Sequence, residues 1–394
     1  MTYPSIRILP GRDRRFRGGS PWLYSNEIDM DTAAKTVEPG AVARIMTPNG
    51  KILGVAHFNP HSLIAARLLT RNKDAQIDRA YFQRRIARAL ALRERLFDRP
   101  FYRLLHGEAD GLPGLVVDRF GEALVVQINT AGMQRMAALI GEALEAAVRP
   151  KTLLMKGDAP VRQLEGLEEE VELVRGDLPE RVEVEENGLV FTADLREGQK
   201  TGWYYDQREN RAFAARLAHG LGVLDLYGYA GAFGLTAAAA GATDVLAVDR
   251  SEAGLDLARA SAERQGVVER FAARRSDAFA ALDELQGAKR RFGLVIADPP
   301  PFVKSKKDLG PGLKGYEKLA RMAAAVVAEP GFLCISCCSH NVPEDQFLGA
   351  VWEGVKDAGR GGRLVHRAGA GPDHPVHPAL PETAYLKFLA LALD

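Results

Sequence analysis

The run from Gly222 to Asp249, GVLDLYGYAGAFGLTAAAAGATDVLAVD, limits what this chain can fold into more than any other stretch. An apolar segment, Gly222–Tyr227, leads into glycines at 228, 231 and 234. Small residues follow over Leu235–Ala240, and a second apolar segment, Asp244–Val248, ends in Asp249. Strand, glycine turn, helix and strand make one βαβ unit. Its acidic residue falls about 20 residues beyond the turn, where such folds grip a ribose hydroxyl.

The glycine spacing narrows the ligand. A dinucleotide site uses G-x-G-x-x-G, so that backbone and helix N-terminus cradle a pyrophosphate. Here the pattern is G-x-x-G-x-x-G, with Asp225 just ahead of it. A carboxylate at that point repels a phosphate and favours a cation. A ligand with a ribose, a cationic centre and no phosphate meets both conditions, which points to S-adenosylmethionine.

The rest of the composition sets bounds. At 394 residues the chain has room for roughly two to three domains. It holds no run of about 18 uncharged apolar residues, so no membrane span is expected. The opening MTYPSIRILPGRDRRFRGG lacks the apolar core of a secretory signal. The three cysteines all lie between Cys334 and Cys338. They make no disulfide framework, and no second Cys/His cluster completes a metal site. A reducing cytoplasm is the expected compartment. The net charge of +1 conceals an asymmetry: residues 1–103 carry 19 Lys/Arg against 9 Asp/Glu, and residues 104–197 carry 9 against 19. The basic front end suits a polyanion such as RNA.

Three domains are expected. Residues 1–74 carry short apolar runs, and the turn signal Pro48-Asn49-Gly50 between two of them predicts a hairpin in a small β-barrel. Trp22 is expected in its core. Arg12, Arg14, Arg15 and Arg17 border it and are candidates for RNA phosphates, against a bland alternative of a solvated loop. Residues 75–190 read as a linker helix over 77–97 followed by an α+β module, with strands at Leu115–Asp118, Ala123–Asn129 and Thr152–Met155 and a helix over Met133–Val148. The acidic turn Glu108–Gly114 reads as a structural loop. From 191 to 394 strands and helices alternate, which predicts a doubly wound α/β sheet. Its third strand is expected over Phe271–Asp277, its fourth over Leu294–Ala297 and its fifth over Phe332–Ser336, with a helix over 316–328 between the last two.

Ligands in such a sheet bind at the carboxyl ends of the strands. Asp225, Asp249, Asp277, Asp298 and Cys338 all fall at expected strand ends. Asp277 suits the adenine amino group. A helix starting near Asp206 would bring Gln207 and Arg208 to the ligand's edge. Asp298 opens Asp298-Pro299-Pro300-Pro301-Phe302, a turn stiffened by prolines whose carboxylate and carbonyls suit the polar edge of a nucleobase. Pro299, Phe302, Lys304 and Lys306 are the RNA-contact candidates there. A cysteine opposite such a turn suggests methylation at a pyrimidine ring carbon. C5 of cytosine is a poor nucleophile until a thiolate adds at C6. Cys334, inside a strand, reads as a small buried residue. Cys338, beyond the strand end, is the nucleophile candidate, and its adjacency to Cys337 leaves the register between them open.

With these motifs on the page, the chain resembles the PUA-domain-containing, S-adenosylmethionine-dependent large-subunit ribosomal RNA cytosine-C5 methyltransferases. The likeness spans nearly the whole chain and rests on six ordered motifs: GSPWLYSNEI (19–28), HGEADGLPGLVVDRF (106–120), GQKTGWYYDQRENR (198–211), DLYGYAGAFG (225–234), DPPPFVKSKK (298–307) and SCCSHNV (336–342). It implies a PUA barrel, a middle domain and a class I methyltransferase domain. It implies a nucleophile at Cys338, and cofactor contacts at Asp225, Tyr227, Gly228, Ala230 and Gly231 of the turn and at Asp249, Asp277 and Asp298. Ser261 and Gln265 stand where the family tends to carry asparagines. The partner implied is large-subunit ribosomal RNA, and an exposed barrel edge leaves a homodimer open. Two other readings stay beside this one. One is an RNA methyltransferase for exocyclic amines, using the Asp-Pro-Pro-x-Phe turn without a cysteine. The other is a non-catalytic RNA-binding relative.

Overall fold

The computed structural model describes residues 3–394, which divide into two compact units. The first holds the chain up to Glu180 together with Leu195–Trp203 and Pro372–Thr383. The second holds Arg181–Asp194, Tyr204–Gly371 and Ala384–Asp394.

In the first unit, β1 (Ser5–Arg7), helix α1 (Arg14–Arg17), β2 (Trp22–Leu23), helix α2 (Thr32–Lys35), β3 (Ala41–Met46), β4 (Ile52–Phe58) and β5 (Ala66–Thr70) come first. The strands form a sheet in the order β1-β3-β4-β5-β2, and an antiparallel bridge between Ile8 and Ile28 links its two edge segments. Gly50, at φ 82°, makes the β3–β4 turn, as the Pro-Asn-Gly signal predicts. Ile6, Phe16, Leu23, Ile45 and Phe58 fill the interior. Trp22 differs from expectation: it is only half-buried, because its indole N–H donates to Glu108 Oε1 at 2.7 Å.

The same unit continues through α3 (Arg79–Leu96), β6 (Phe101–His106), β7 (Leu115–Phe120), β8 (Ala123–Ile128), α4 (Ala131–Arg135), α5 (Ala137–Val148), β9 (Thr152–Gly157) and β10 (Glu170–Arg175). The strands make a second sheet, β10-β9-β8-β7-β6. Asp78 caps α3, accepting from Tyr81 N at 2.8 Å. The single helix expected over Met133–Val148 is two helices parted at Met136. Gly132 of α4 lies so close to the His57 ring that a Cβ would meet Cγ at 2.1 Å, which fixes α4 against β4. The acidic turn is structural, as expected. Arg93, fully buried, forks onto Asp110 at 2.7 and 2.8 Å, and Arg67 reaches Glu108 at 3.1 Å. Arg103 forks onto Asp118, which also accepts from Thr201 Oγ1 at 2.5 Å.

The second unit opens with a hairpin, β11 (Val182–Glu186) and β12 (Leu189–Ala193), then α6 (Arg208–Ala218), β13 (Gly222–Leu226), α7 (Ala232–Ala239), β14 (Asp244–Asp249), α8 (Glu252–Gln265), β15 (Phe271–Arg275), α9 (Ala278–Gly287), β16 (Phe292–Ala297), α10 (Leu309–Ala325), β17 (Val327–Cys337), α11 (Glu344–Asp357), β18 (Gly362–Ala368) and β19 (Lys387–Leu393). The sheet order is β15-β14-β13-β16-β17-β19-β18, with β19 antiparallel to both neighbours and the others parallel. Near-continuous apolar runs such as FGLVIA in β16 mark strands buried on both faces. Leu224, Leu226, Val295, Leu333 and Ile335 are fully buried, packed with Leu319, Phe347 and Val351 of the covering helices. Truncating one such leucine to alanine costs about 2–5 kcal/mol.

Boundaries shift from expectation at several places, and β17 opens at Val327 rather than Phe332. Helix α7 begins at Ala232, because Gly231 caps it at φ 73°. Strand β15 stops at Arg275, because Asp277 caps α9 instead of extending the strand. Helix α10 runs Leu309–Ala325, earlier than 316–328. Ser261 and Gln265 bond to the hairpin: Ser261 Oγ accepts from Thr192 N at 2.8 Å and Gln265 Nε2 donates to Val190 O at 2.9 Å, tying α8 to it. Among the described residues no helix is long and apolar enough to cross a membrane.

Candidate active site

The glycine turn stores backbone strain. Tyr227 and Tyr229 hold φ of 62° and 45°, a region that favours glycine. Such residues cost about 1–3 kcal/mol each and persist where the surroundings over-determine them. What determines them here is a carboxylate on either side. Tyr229 N donates to Asp249 Oδ2 at 3.0 Å, and Ser251 N donates to Asp249 Oδ1 at 2.7 Å. Below the turn, Asp225 is buried and its Oδ2 accepts from Gly234 N in α7 at 2.8 Å. A Cβ at Gly228 would press on that oxygen at 3.1 Å. Burial pushes the Asp225 carboxyl up to about 7; the Gly234 N–H opposes the rise, and the Asp298 and Asp249 carboxylates add to it. Its Oδ1 is buried with no hydrogen-bond partner.

A second cluster forms where β16 and β17 end. Asp298, one residue past β16, accepts from Gln207 Nε2 at 2.8 Å. The same nitrogen reaches Ser336 Oγ of β17 at 3.2 Å, and Asn210 Nδ2 donates to Gln207 Oε1 at 2.6 Å, which sets the amide's orientation. Cys338 Sγ lies 3.8 Å from the carbonyl oxygen of Pro299. Cys338 is partly exposed, whereas Cys334 and Cys337 are fully buried, and burial pushes the Cys334 thiol far up. Beyond Cys338, Ser339 Oγ donates to Val303 O at 2.6 Å, which holds the two strand-end turns together.

The structure thus brings Asp225, Asp249, Gln207, Asp298, Pro299 and Cys338 to one edge of the sheet. Several other candidates have partners of their own, although Asp277, with Asp249, lies close enough to Tyr227 to add to the burial that raises its phenol. Arg208 points to the hairpin, its Nε 3.7 Å from Glu186. Asp277 is exposed and caps α9 through Phe279 N and Ala280 N. The Phe302 ring packs on Tyr316 with 4.7 Å between centroids, and Lys304 and Lys306 are exposed. In the first unit, Arg12, Arg14, Arg15 and Arg17 are all exposed. Arg15 pairs with Glu27 at 2.7 Å and covers the Tyr24 ring, and Arg17 pairs with Asp13 at 3.4 Å. Arg12, Arg14 and Arg15 line an open hollow of about 490 Å³ with Ser20 and Glu27.

Sequence reasoning passed over Tyr204, Ser336 and Lys387. Tyr204 stands edge-on to Tyr229 at 6.0 Å; burial raises its phenol, and Tyr229, Asp298, Asp206 and Cys338 add to the effect. Its signal was the stretch GWYYDQ, where two tyrosines precede the first helix.

A seven-stranded sheet in this order, with carboxylates at the ends of its central strands and a strained glycine turn between them, defines a class I methyltransferase domain. Its donor set fits S-adenosylmethionine: the unpaired Asp225 oxygen suits a cationic ligand, and the Asp249 carboxylate borders the same turn. Residues 147–388 match the family described as S-adenosylmethionine-dependent methyltransferase, and residues 6–71 match the PUA-like domain. The chain belongs to the S-adenosylmethionine-dependent methyltransferases and carries a PUA-like domain at its front. It is 35% identical over 388 residues to the ribosomal RNA large subunit methyltransferase I of Pseudoalteromonas atlantica, covering 98% of each chain. It is also 35% identical over 393 residues to the protein of that name from Aeromonas hydrophila, again covering 98% of each. A solved structure, a putative methyltransferase from Streptococcus mutans, shares the fold at a TM-score of 0.84 with 20% identity, over 99% of this chain and 100% of that one.

Proposed function

We propose that this enzyme methylates C5 of a cytidine in large-subunit ribosomal RNA, with Cys338 as nucleophile. The names of its relatives support the substrate class. The observation that carries the chemistry is the partly exposed Cys338 thiol 3.8 Å from the Pro299 carbonyl, at a strand end, while its two fellow cysteines are sealed in the core. The choice of Cys338 over Cys337 rests on the same contrast.

In this reading the turn from Asp225 through Tyr227, Gly228, Ala230 and Gly231, with Asp249 and Asp277, holds S-adenosylmethionine, which supplies an electrophilic methyl group. The target base leaves its stack and enters between the Asp298–Phe302 turn and the Cys338 turn. Asp298 and the Pro299 carbonyl face the base's N3/N4 edge. The Cys338 thiolate adds to C6, and the enamine-like C5 takes the methyl group as the methyl–sulfur bond breaks and leaves the neutral thioether. Loss of the C5 proton to water and β-elimination then restore the double bond and release the thiolate. Lys304, Lys306 and the cluster Arg12, Arg14, Arg15 and Arg17 contact RNA phosphates. The first unit holds the RNA, and the second carries out the chemistry.

The test is incubation with labelled S-adenosylmethionine and ribosomal RNA from cells lacking the enzyme, followed by digestion to nucleosides. The expected product is 5-methylcytidine from the native enzyme and none from Cys338→Ala. A methylated exocyclic amine, or full activity of Cys338→Ala, would overturn the reading.

A further inference from the structure

Strand β19 reads KFLALAL, an apolar strand that begins with a lysine. Its antiparallel register with β17 sets Lys387 opposite Cys337, one residue before Cys338. Lys387 is only 8% exposed. Lysine is rarely buried unless paired. Its Nζ donates to Ser339 O at 2.6 Å and to Tyr385 O at 3.1 Å. One acceptor lies immediately past Cys338 and the other just before Lys387 itself. The side chain therefore clips the Cys338 turn to the start of β19. Two carbonyl acceptors favour the charged ammonium, which has donors and no acceptor.

The charges around it point the same way. Burial lowers the Lys387 pKa from the ordinary lysine range, and Cys337, Cys338 and Glu344 pull it back up. That attraction is mutual: an ammonium that gains from a neighbouring thiolate stabilises the thiolate equally. The other titratable neighbours oppose a thiolate or stay neutral. Tyr316, beside both thiols, has a phenol driven up by burial. Tyr204 lies near both Asp298 and Cys338, which add to the burial that raises its phenol, and an Asp298 charge there disfavours a second anion. Glu344 is drawn toward Arg367, 3.3 Å away at the surface. His340 is exposed at the rim of the adjoining hollow.

We propose that Lys387 is a positioning residue for the Cys338 nucleophile, fixing the chain beyond it through Ser339 O and setting a buried cation beside the thiol. This rests on Cys338 being the nucleophile. A nucleophilic cysteine needs such a neighbour, because the thiolate is the reactive form and an unassisted thiol near neutral pH holds little of it.

The experiment is alkylation of the full-length protein by iodoacetamide from neutral to alkaline pH, with the rate at Cys338 followed by peptide mass spectrometry. Native protein is compared with Lys387→Gln, which keeps a hydrogen-bond donor without the charge, and with Lys387→Arg, which keeps the charge. S-adenosylmethionine affinity, measured by calorimetry, checks that each variant is folded. The expected result for Lys387→Gln is a midpoint about one pH unit higher, with roughly tenfold slower alkylation at neutral pH and a matching fall in kcat. Lys387→Arg is expected to keep most of the native midpoint. An unmoved midpoint in a folded Lys387→Gln protein, with Cys338→Ala inactive, overturns the Lys387 assignment alone. Full methyl transfer by Cys338→Ala removes the nucleophile reading, and this assignment with it.

Discussion

Asp225 makes the pH dependence of this fold testable. Its carboxyl rises from 3.8 to about 7 on folding, chiefly through burial. Between those values the native protein keeps a proton at Asp225 that the unfolded chain has lost. Stability therefore falls as pH rises from about 4 to about 7, and the loss levels off above that window. A shift of about three units corresponds to about 4 kcal/mol. Asp225→Asn keeps an oxygen for the Gly234 N–H and carries no charge at any pH, so it imitates the protonated form. Urea unfolding of both proteins without cofactor, at a series of pH values, isolates the term, because the other titrating groups cancel in the difference. The expected gap, Asp225→Asn minus native, widens in favour of the variant by up to about 4 kcal/mol between pH 4 and pH 8. The cationic cofactor favours the ionised carboxylate, so native affinity for S-adenosylmethionine is expected to rise as pH passes about 7, and the variant to lose that rise. Parallel unfolding curves for the two proteins would refute the argument, since they would mean that no proton is held at Asp225 on folding.

Other perturbations probe separate parts of the structure. Gln207→Ala removes the amide that spans Asp298 and Ser336; methyl transfer is expected to fall about 10–100-fold, from a loss of about 1–3 kcal/mol, with cofactor affinity by calorimetry nearly unchanged. Arg93→Ala leaves Asp110 without its fork inside the first unit, and chemical denaturation should show a loss of about 3–5 kcal/mol. Arg12→Ala with Arg14→Ala removes two exposed cations from the hollow near α1; RNA binding is expected to weaken at low salt, and the slope of log affinity against log salt to shrink by up to about 2.

The doubly wound sheet was legible because its signals are local. Apolar runs, a glycine turn and an acidic residue at each strand end are all visible in short windows, and the strand ends at Asp249, Asp298 and Cys338 fall within a residue of expectation. Where local signals compete, the reading slipped. Ser276-Asp277 follows an apolar run and looks like its end, but aspartate satisfies helix N–H groups better than it continues a strand, so it caps α9. Gln207 and Arg208 are neighbours in sequence, and no window could separate them. The first turn of α6 sends one to Asp298 and the other toward Glu186 of the hairpin.

What stayed hidden was pairing at long range. Lys387 and Ser339 stand 48 residues apart, and only the antiparallel insertion of β19 beside β17 brings them together. In sequence, a lysine ahead of FLALAL looks like a solvated strand end. The same distance separates reading from chemistry for Cys338. Its place past a strand suggested a nucleophile, but a thiol becomes one through the charges around it. In the proposed mechanism Lys387 at the start of β19 favours the thiolate and Asp298 at the end of β16 opposes it. The strand ends can be read one at a time, whereas the electrostatic balance around Cys338 depends on which strands lie side by side.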